Sequence, residues 1–150
     1  MERVSPSDIE IRERLEPERI QQLMDLYASE WWTAAREPDD VAAMVDASDF
    51  VVVLIHRPTD RLLGFGRVLT DFVYIAVILD VIVAREARGT GLGTILMNAI
   101  VNHPRLASVQ SLELVCQPEL VPFYGRWGFT EKVGRSRLMR RSSDPLLVSA

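Results

Sequence analysis

The sequence predicts an α/β (α+β) protein built around one mixed sheet, and three observations carry that prediction. A short, strongly β-prone run, FVVVLIH at Phe50–His56, and its return partner LLGFGRVLT at Leu62–Thr70 read as strands. A longer run, Phe72–Val83, is apolar in both strand registers apart from Asp80, which marks a central strand covered on both sides. Segments of helical spacing alternate with these runs, so helices pack on the sheet.

Each element has a local reason. IEIRERL (Ile9–Leu15) alternates and reads as an edge-like strand. Pro17 fits the first turn of a helix, and Ile20, Leu23, Met24 and Tyr27 carry that helix to about Ser29. EWWTAAREP interrupts it, and Pro38-Asp39-Asp40 opens a second helix with Val41, Met44 and Val45 on one face. FVVVLIH, the turn RPTDR and LLGFGRVLT form a hairpin. The central strand is expected over Phe72–Val83. A helix follows with Leu92, Ile95, Leu96, Ala99 and Ile100 on one face, stopped before Pro104. SLELVC is a further strand, and PELVPFYGRW a short helix closed by Gly128. A last strand is expected from Phe129 toward Met139, and SSDPLLVSA reads as a tail from about Ser142. The order is β-α-α-β-β-β-α-β-α-β in one domain over residues 1–150.

Composition narrows the partners. A formal net charge of -4 gives no global attraction to nucleic acid or anionic lipid. The longest uninterrupted apolar stretch, Phe72–Leu79, falls far short of the ~20 residues of a membrane-spanning helix. The charged start has no apolar region of a signal peptide. The lone Cys116 excludes an internal disulfide and fits a reducing, cytoplasmic setting. No histidine, cysteine or carboxylate set has metal-ligand spacing, so no metal is expected.

REARGTGLGTILM, Arg85–Met97, carries the chemistry. A helix N-terminus exposes unpaired N–H groups and a partial positive charge, both suited to phosphate. Glycines let an anion approach the backbone, and Arg88 adds a permanent, bidentate cation. The segment reads as a phosphate cradle; the plain alternative is a glycine-rich turn. A Walker A loop is excluded, because no lysine follows these glycines. A dinucleotide fingerprint fits poorly. Its third glycine would come one place early, and Glu113, the candidate acid, lies inside LELV.

At these residues the chain resembles the GCN5-related N-acetyltransferase (GNAT) superfamily. Arg88, Gly91 and Gly93 in RGTGLG match its signature, LDVIV its central strand, and FYGRWGF its usual ending through Phe123, Tyr124, Gly128 and Phe129. GFGRVLTD and EWW resemble a subgroup of small bacterial acetyltransferases. The resemblance implies six to seven strands flanked by about four helices, with a splayed cofactor cleft. It also implies acetyl-CoA as donor and CoA as product. The segment Arg88, Gly89, Thr90, Gly91, Leu92, Gly93, Thr94 would hold the pyrophosphate, and Val81, Ile82 and Val83 would line the pantetheine arm. Two positions depart from the family. Arg85 stands where a proline is common, and Cys116-Gln117-Pro118 where an asparagine often contacts pantetheine.

Acetyl transfer to an amine needs a neutral amine, a polarised carbonyl and a proton for the departing thiolate. Tyr124 matches the tyrosine that often serves as the family's acid; the alternative is a packed helix aromatic beside Phe123 and Trp127. Asp80, a carboxylate in an apolar strand, is the candidate base or the partner of an arginine such as Arg67. Glu30, Trp31, Trp32 and Asp71 are candidates for binding a small-molecule or peptide amine; the alternatives are one tryptophan closing the core with the other on the surface, and Asp71 as a plain turn acid. His56 and His103 read as strand-end and helix-end residues, Cys116 as a buried thiol, and RSRLMRR as a solvated strand edge. Two rivals stand beside direct acetyl transfer: a non-catalytic acyl-CoA sensor on the same fold, and a nucleotide-binding module. Acceptor identity is open, as is oligomeric state, a homodimer through the final strands included.

Overall fold

The computed structural model describes residues 4–149. The chain divides into two compact units, Met1–Leu114 and Val115–Ala150. The first holds a five-stranded sheet in the order β1-β2-β3-β4-β5, with β1 Ile9–Arg12, β2 Phe50–His56, β3 Arg61–Thr70, β4 Ile75–Val83 and β5 Ser111–Leu114. The first four strands pair antiparallel in sequence order, whereas β5 joins β4 in parallel. A parallel pair needs a crossover. Helix α3, Leu92–Val101, lies between those two strands in the chain and supplies it.

Helix α1 (Ile20–Ala28) buries Leu23, Leu26 and Tyr27, and helix α2 (Pro38–Ala47) buries Val41. Pro38 opens α2, and Asp39 and Asp40 in its first turn complement the helix dipole. Phe65 of β3 meets the Tyr27 ring edge-on, centroids 6.3 Å apart. A Cβ on the next residue, Gly66, would lie 2.7 Å from Cδ1 of Ile100 in α3. Successive strand residues face opposite sides, so α1 and α3 cover opposite faces of the sheet. β2 is buried from Phe50 to Ile55, consistent with cover on both sides. Of the expected α3 face, Leu92, Leu96 and Ile100 are buried with Met97, while Ile95 and Ala99 are half-buried.

The glycines of β3 are set by packing. A Cβ at Gly64 would meet Cδ1, Cγ and Cβ of Leu54 at 2.9, 3.1 and 3.2 Å. At Gly66 the clash is with the mobile tip of Ile100 alone. Gly64→Ala is therefore expected to cost about 1–3 kcal/mol through overpacking, and Gly66→Ala less. Urea denaturation of the two variants checks the order.

Two strand expectations are corrected. β4 begins at Ile75 rather than Phe72. Phe72 takes a left-handed φ of 63°, and Oδ1 of Asp71 accepts from the amides of Val73, Tyr74 and Ile75 at 2.8, 2.8 and 3.1 Å. These contacts turn the chain, leaving Val73 and Tyr74 exposed. The sheet also has five strands, against the six to seven expected.

The strand foreseen after Phe129 does not form among the described residues of the second unit. That stretch carries Lys132, Arg135 and Arg137, bends at Gly134 (φ 66°) and exposes Val133, Leu138 and Met139. It offers no apolar face for a sheet to cover. The second unit otherwise holds the short helix α4, Val121–Gly125, followed by a left-handed Gly128 whose amide donates to Gly125 O at 3.0 Å. No helix of the described residues is long and apolar enough to cross a membrane.

Candidate active site

The site grows from an irregularity in β4. Phe65 pairs with Ile82 and Arg67 with Leu79, so Asp80 and Val81 together face the single residue Gly66. This is a β-bulge, and Asp80 takes it in the left-handed region at φ 56°. Aspartate tolerates that region better than a β-branched residue. Pairing of β4 with β5 stops at Ile78 opposite Leu114, while β4 runs on to Val83. Beyond Ile78, β4 therefore has ladder partners on the β3 side only, which leaves its other edge unpaired by β5.

The glycine loop follows directly. Gly89 and Gly91 adopt φ of 78° and 88°, which glycine alone adopts without strain. Gly91 is the N-cap of α3, and its carbonyl accepts from Ile95 N at 3.1 Å. A Cβ at either glycine would meet nothing within 4 Å, so open space stands over both. The first amides of α3 lack intrahelical partners, and its dipole is positive at this end. These features fit a bound pyrophosphate.

Arg88 stands at the entrance. Its Nε donates to Val83 O at 3.2 Å, and its Nη2 pairs with Glu30. Arg88 is the exposed partner of this pair and Glu30 the more buried one. Thr90 donates its hydroxyl to Ala87 O, holding the turn. Arg85 Nη2 donates to Ser29 O at 2.7 Å, joining the same loop to the end of α1.

Asp80 is the centre of a second cluster. Arg36 grips it with Nη1 on Oδ2 at 2.5 Å and Nη2 on Oδ1 at 3.1 Å. Arg67 Nε donates to Oδ2 at 2.8 Å, and the Tyr27 hydroxyl to the same oxygen at 3.0 Å. The Arg36 guanidinium also lies 4.9 Å over the Tyr27 ring. Burial alone would raise the carboxyl pKa. The hydrogen bonds and charges of Arg36 and then Arg67 outweigh it, and Asp80 is held below its ordinary range. Burial and the Asp80 charge drive the Tyr27 phenol the other way, so it keeps its proton.

In the second unit Tyr124 is buried on α4, within an aromatic group of its own unit. Its ring centroid lies 5.0 Å from Phe123 and 6.4 Å from Phe129. Its hydroxyl makes no hydrogen bond among the described residues. Burial, with a contribution from Cys116, pushes the phenol up to about 12. Cys116 is half-buried rather than buried, and burial followed by Glu131 and Glu119 raises its pKa. That is the opposite of an activated thiol.

Several expected residues thus meet and others do not. The free end of β4 leads into the glycine loop, and Glu30 pairs with Arg88 of that loop. Trp31, 52% exposed, and the half-buried Trp32 lie in the turns between α1 and α2. Asp71 sits at the opposite end of β4 from the glycine loop, ~25 Å away at strand rise, with Oδ1 occupied by the hairpin amides. Sequence reasoning named Arg67 as a partner for Asp80 but missed Arg36 and Tyr27. Tyr27 looked like one more apolar position on α1. Arg36 carried no signal beyond the need of a buried carboxylate for cations.

Comparison with known proteins follows the same lines. Residues 12–141 match the family model described as an acetyltransferase (GNAT) domain. The chain is 31% identical over 84 residues to an uncharacterised N-acetyltransferase of Porphyra purpurea, covering 55% of this chain and 48% of that one. It is 34% identical over 96 residues to glucosamine 6-phosphate N-acetyltransferase 1 of Oryza sativa subsp. japonica, covering 60% and 58%. The chain spans about half the length of these curated relatives. Among solved structures, one assigned as an acetyltransferase of Deinococcus radiodurans R1 superposes with a TM-score of 0.77 at 27% identity, covering 94% of both chains. With a fourth strand that outruns its pairing with β5, an arginine–glycine loop capping a helix and a family match over residues 12–141, the chain belongs to the GNAT acetyltransferase family.

Proposed function

We propose that the protein transfers an acetyl group from acetyl-CoA to a primary amine of a small molecule or peptide, by direct attack in a ternary complex. The observation that carries this reading is the glycine loop. Two left-handed glycines under open space, a helix N-terminus and Arg88 form a site for a pyrophosphate. The relatives support the acceptor class: one is named for glucosamine 6-phosphate, another for serotonin, and both of those are amines. The single Cys116 supports a reducing, cytoplasmic setting.

In this reading bound acetyl-CoA supplies an acetyl thioester. Backbone amides from Arg88 to Thr94 hold its pyrophosphate, with Arg88 released from Glu30. Val81, Ile82 and Val83 offer a strand edge that an extended arm can pair with. By its match to the family motif Tyr124 is assigned as the acid, and its raised phenol keeps its proton at physiological pH. Asp80, bound by two cations, is a weak proton acceptor. We assign it the positioning of Arg36 and Arg67, in place of the base role that its sequence context suggested. Trp31, Trp32 and Glu30 border the acceptor side. Asp71, set at the far end of β4, builds the hairpin.

Calorimetric titration with acetyl-CoA, CoA, NAD and ATP tests the reading. Binding of both CoA species is expected, and preference for NAD or ATP would sink it. Tyr124→Phe should lower kcat about a hundredfold with affinity for acetyl-CoA and melting temperature nearly unchanged, because its hydroxyl has no hydrogen-bond partner to lose. With the phenol near 12, the wild-type rate should show no alkaline loss from this group below about pH 11. Retention of kcat within a few-fold would reduce Tyr124 to a packing residue and favour a non-catalytic acyl-CoA sensor.

A further inference from the structure

Two guanidiniums and one carboxylate meet on the α1 face of the sheet, and their charges do not cancel. Arg36 and Arg67 both pair with Asp80, and neither pairs with another carboxylate among the described residues. The cluster therefore carries one excess positive charge. It is also largely enclosed: the side chain of Asp80 is 5% exposed, that of Arg67 14% and that of Arg36 30%. A partly buried, uncompensated cation is costly unless a counter-charge completes it. Stability alone calls for one arginine, since Arg36 already satisfies both oxygens of Asp80.

The second arginine is arranged differently. Arg67 reaches Asp80 through Nε only, and neither of its terminal nitrogens has a hydrogen-bond partner among the described residues. That leaves the outer donors of a planar fork, the geometry that grips a carboxylate or phosphate. Asp80 holds the fork from behind. The bulge places the cluster between Ile78, where β5 stops pairing, and Val81 and Val83, the backbone assigned to the donor's arm.

We propose that Arg67, with Arg36 beside it, recognises an anionic group carried by the acceptor amine itself, a carboxylate or a phosphate. The proposal rests on the acetyl-transfer reading above. It narrows the acceptor from any primary amine to one with an anion a few bonds from its nitrogen. Arg67 acts as a specificity residue; the excess charge selects against acceptors with a second cation.

Three amines of similar size test it: β-alanine with a carboxylate, O-phosphoethanolamine with a phosphate, and ethanolamine with neither. Each is measured in two ways on the intact protein: by thermal shift without acetyl-CoA, which needs no turnover, and by thiol release at saturating acetyl-CoA. At least one anionic amine should raise the melting temperature where ethanolamine does not, and show a KM at least tenfold lower. Which of the two responds identifies the group. In Arg67→Lys, which keeps a charge beside Asp80 but loses the fork, KM for that amine should rise about ten- to a hundredfold. The kcat, and KM for ethanolamine, should stay within about twofold. Arg67→Gln should abolish the thermal shift.

A purely structural Arg67 would lower the melting temperature of both variants and leave KM unmoved, which overturns the proposal. So would equal binding of ethanolamine, or no shift with either anionic amine. Titration of the same protein with acetyl-CoA reports separately on the reading beneath. Loss of donor binding defeats acetyl transfer, while the thermal shifts still decide whether Arg67 binds an anion.

Discussion

Gly91→Glu should abolish binding of acetyl-CoA and CoA while leaving a folded protein. Gly91 caps α3 at φ 88°, and a Cβ there meets nothing within 4 Å. A side chain can therefore leave the backbone there without meeting protein atoms at its first carbon. It brings a non-glycine residue into the left-handed region, at about 1–2 kcal/mol, and a carboxylate into the space over the helix N-terminus. A unit charge facing another at about 4 Å and an effective dielectric of about 20 is repelled by about 4 kcal/mol. Affinity should accordingly fall at least a hundredfold. Gly91→Ala separates the two effects, since it carries the same backbone strain without the charge. Both variants should melt a few degrees lower than the wild type, and only the glutamate should lose the ligand. Equal loss in both would mean that the loop's shape, rather than its field, governs binding. Retained binding in both would move the pyrophosphate elsewhere.

That loop was legible because its chemistry is local. Glycine at left-handed φ, a helix starting at Leu92 and a nearby arginine all lie within Arg85–Met97, so spacing alone put them together. The hairpin of β2 and β3 was legible for the same reason, and so was the crossover helix with its buried stripe. What escaped depends on contacts distant in sequence. Asp71, following a strand, read either as a cleft acid or as a plain turn acid, and its carboxylate gathers three amides just ahead of it, as a turn acid does. The continuous apolar run through Phe72 concealed that turn, since hydrophobicity does not report a left-handed φ. The strand expected from Phe129 toward Met139 does not form among the described residues, where charge and the left-handed Gly134 prevail. Arg36 stands 44 residues from Asp80, and no spacing rule joins a residue before α2 to a bulge in β4. The demand of a buried carboxylate for cations was readable; which arginines answer it was settled only by the fold.

That demand sets the largest expected effect on stability, at Asp80 itself. Asp80→Asn and Asp80→Ala both leave Arg36 and Arg67 facing each other without a counter-charge, and removal of one partner of a buried pair typically costs about 3–5 kcal/mol. The lower end is expected, because Arg36 is partly exposed and can turn toward water. Alanine should cost about 1 kcal/mol more than asparagine, since φ is 56° at this position and asparagine visits that region more readily. The loss should depend on pH in a defined direction. The folded-state pKa of Asp80 is lowered, so its pairing contributes in full above the unfolded value of about 3.9 and fades as pH falls through the folded one. Urea denaturation at pH 7 should separate wild type from Asp80→Asn by about 3 kcal/mol, and the gap should close progressively below pH 4. A gap that persists unchanged at pH 2 would place the cost in packing rather than charge. A gap absent at pH 7 would mean that the two arginines tolerate each other without Asp80, and the excess positive charge credited to them would then exert no force on an anionic substrate.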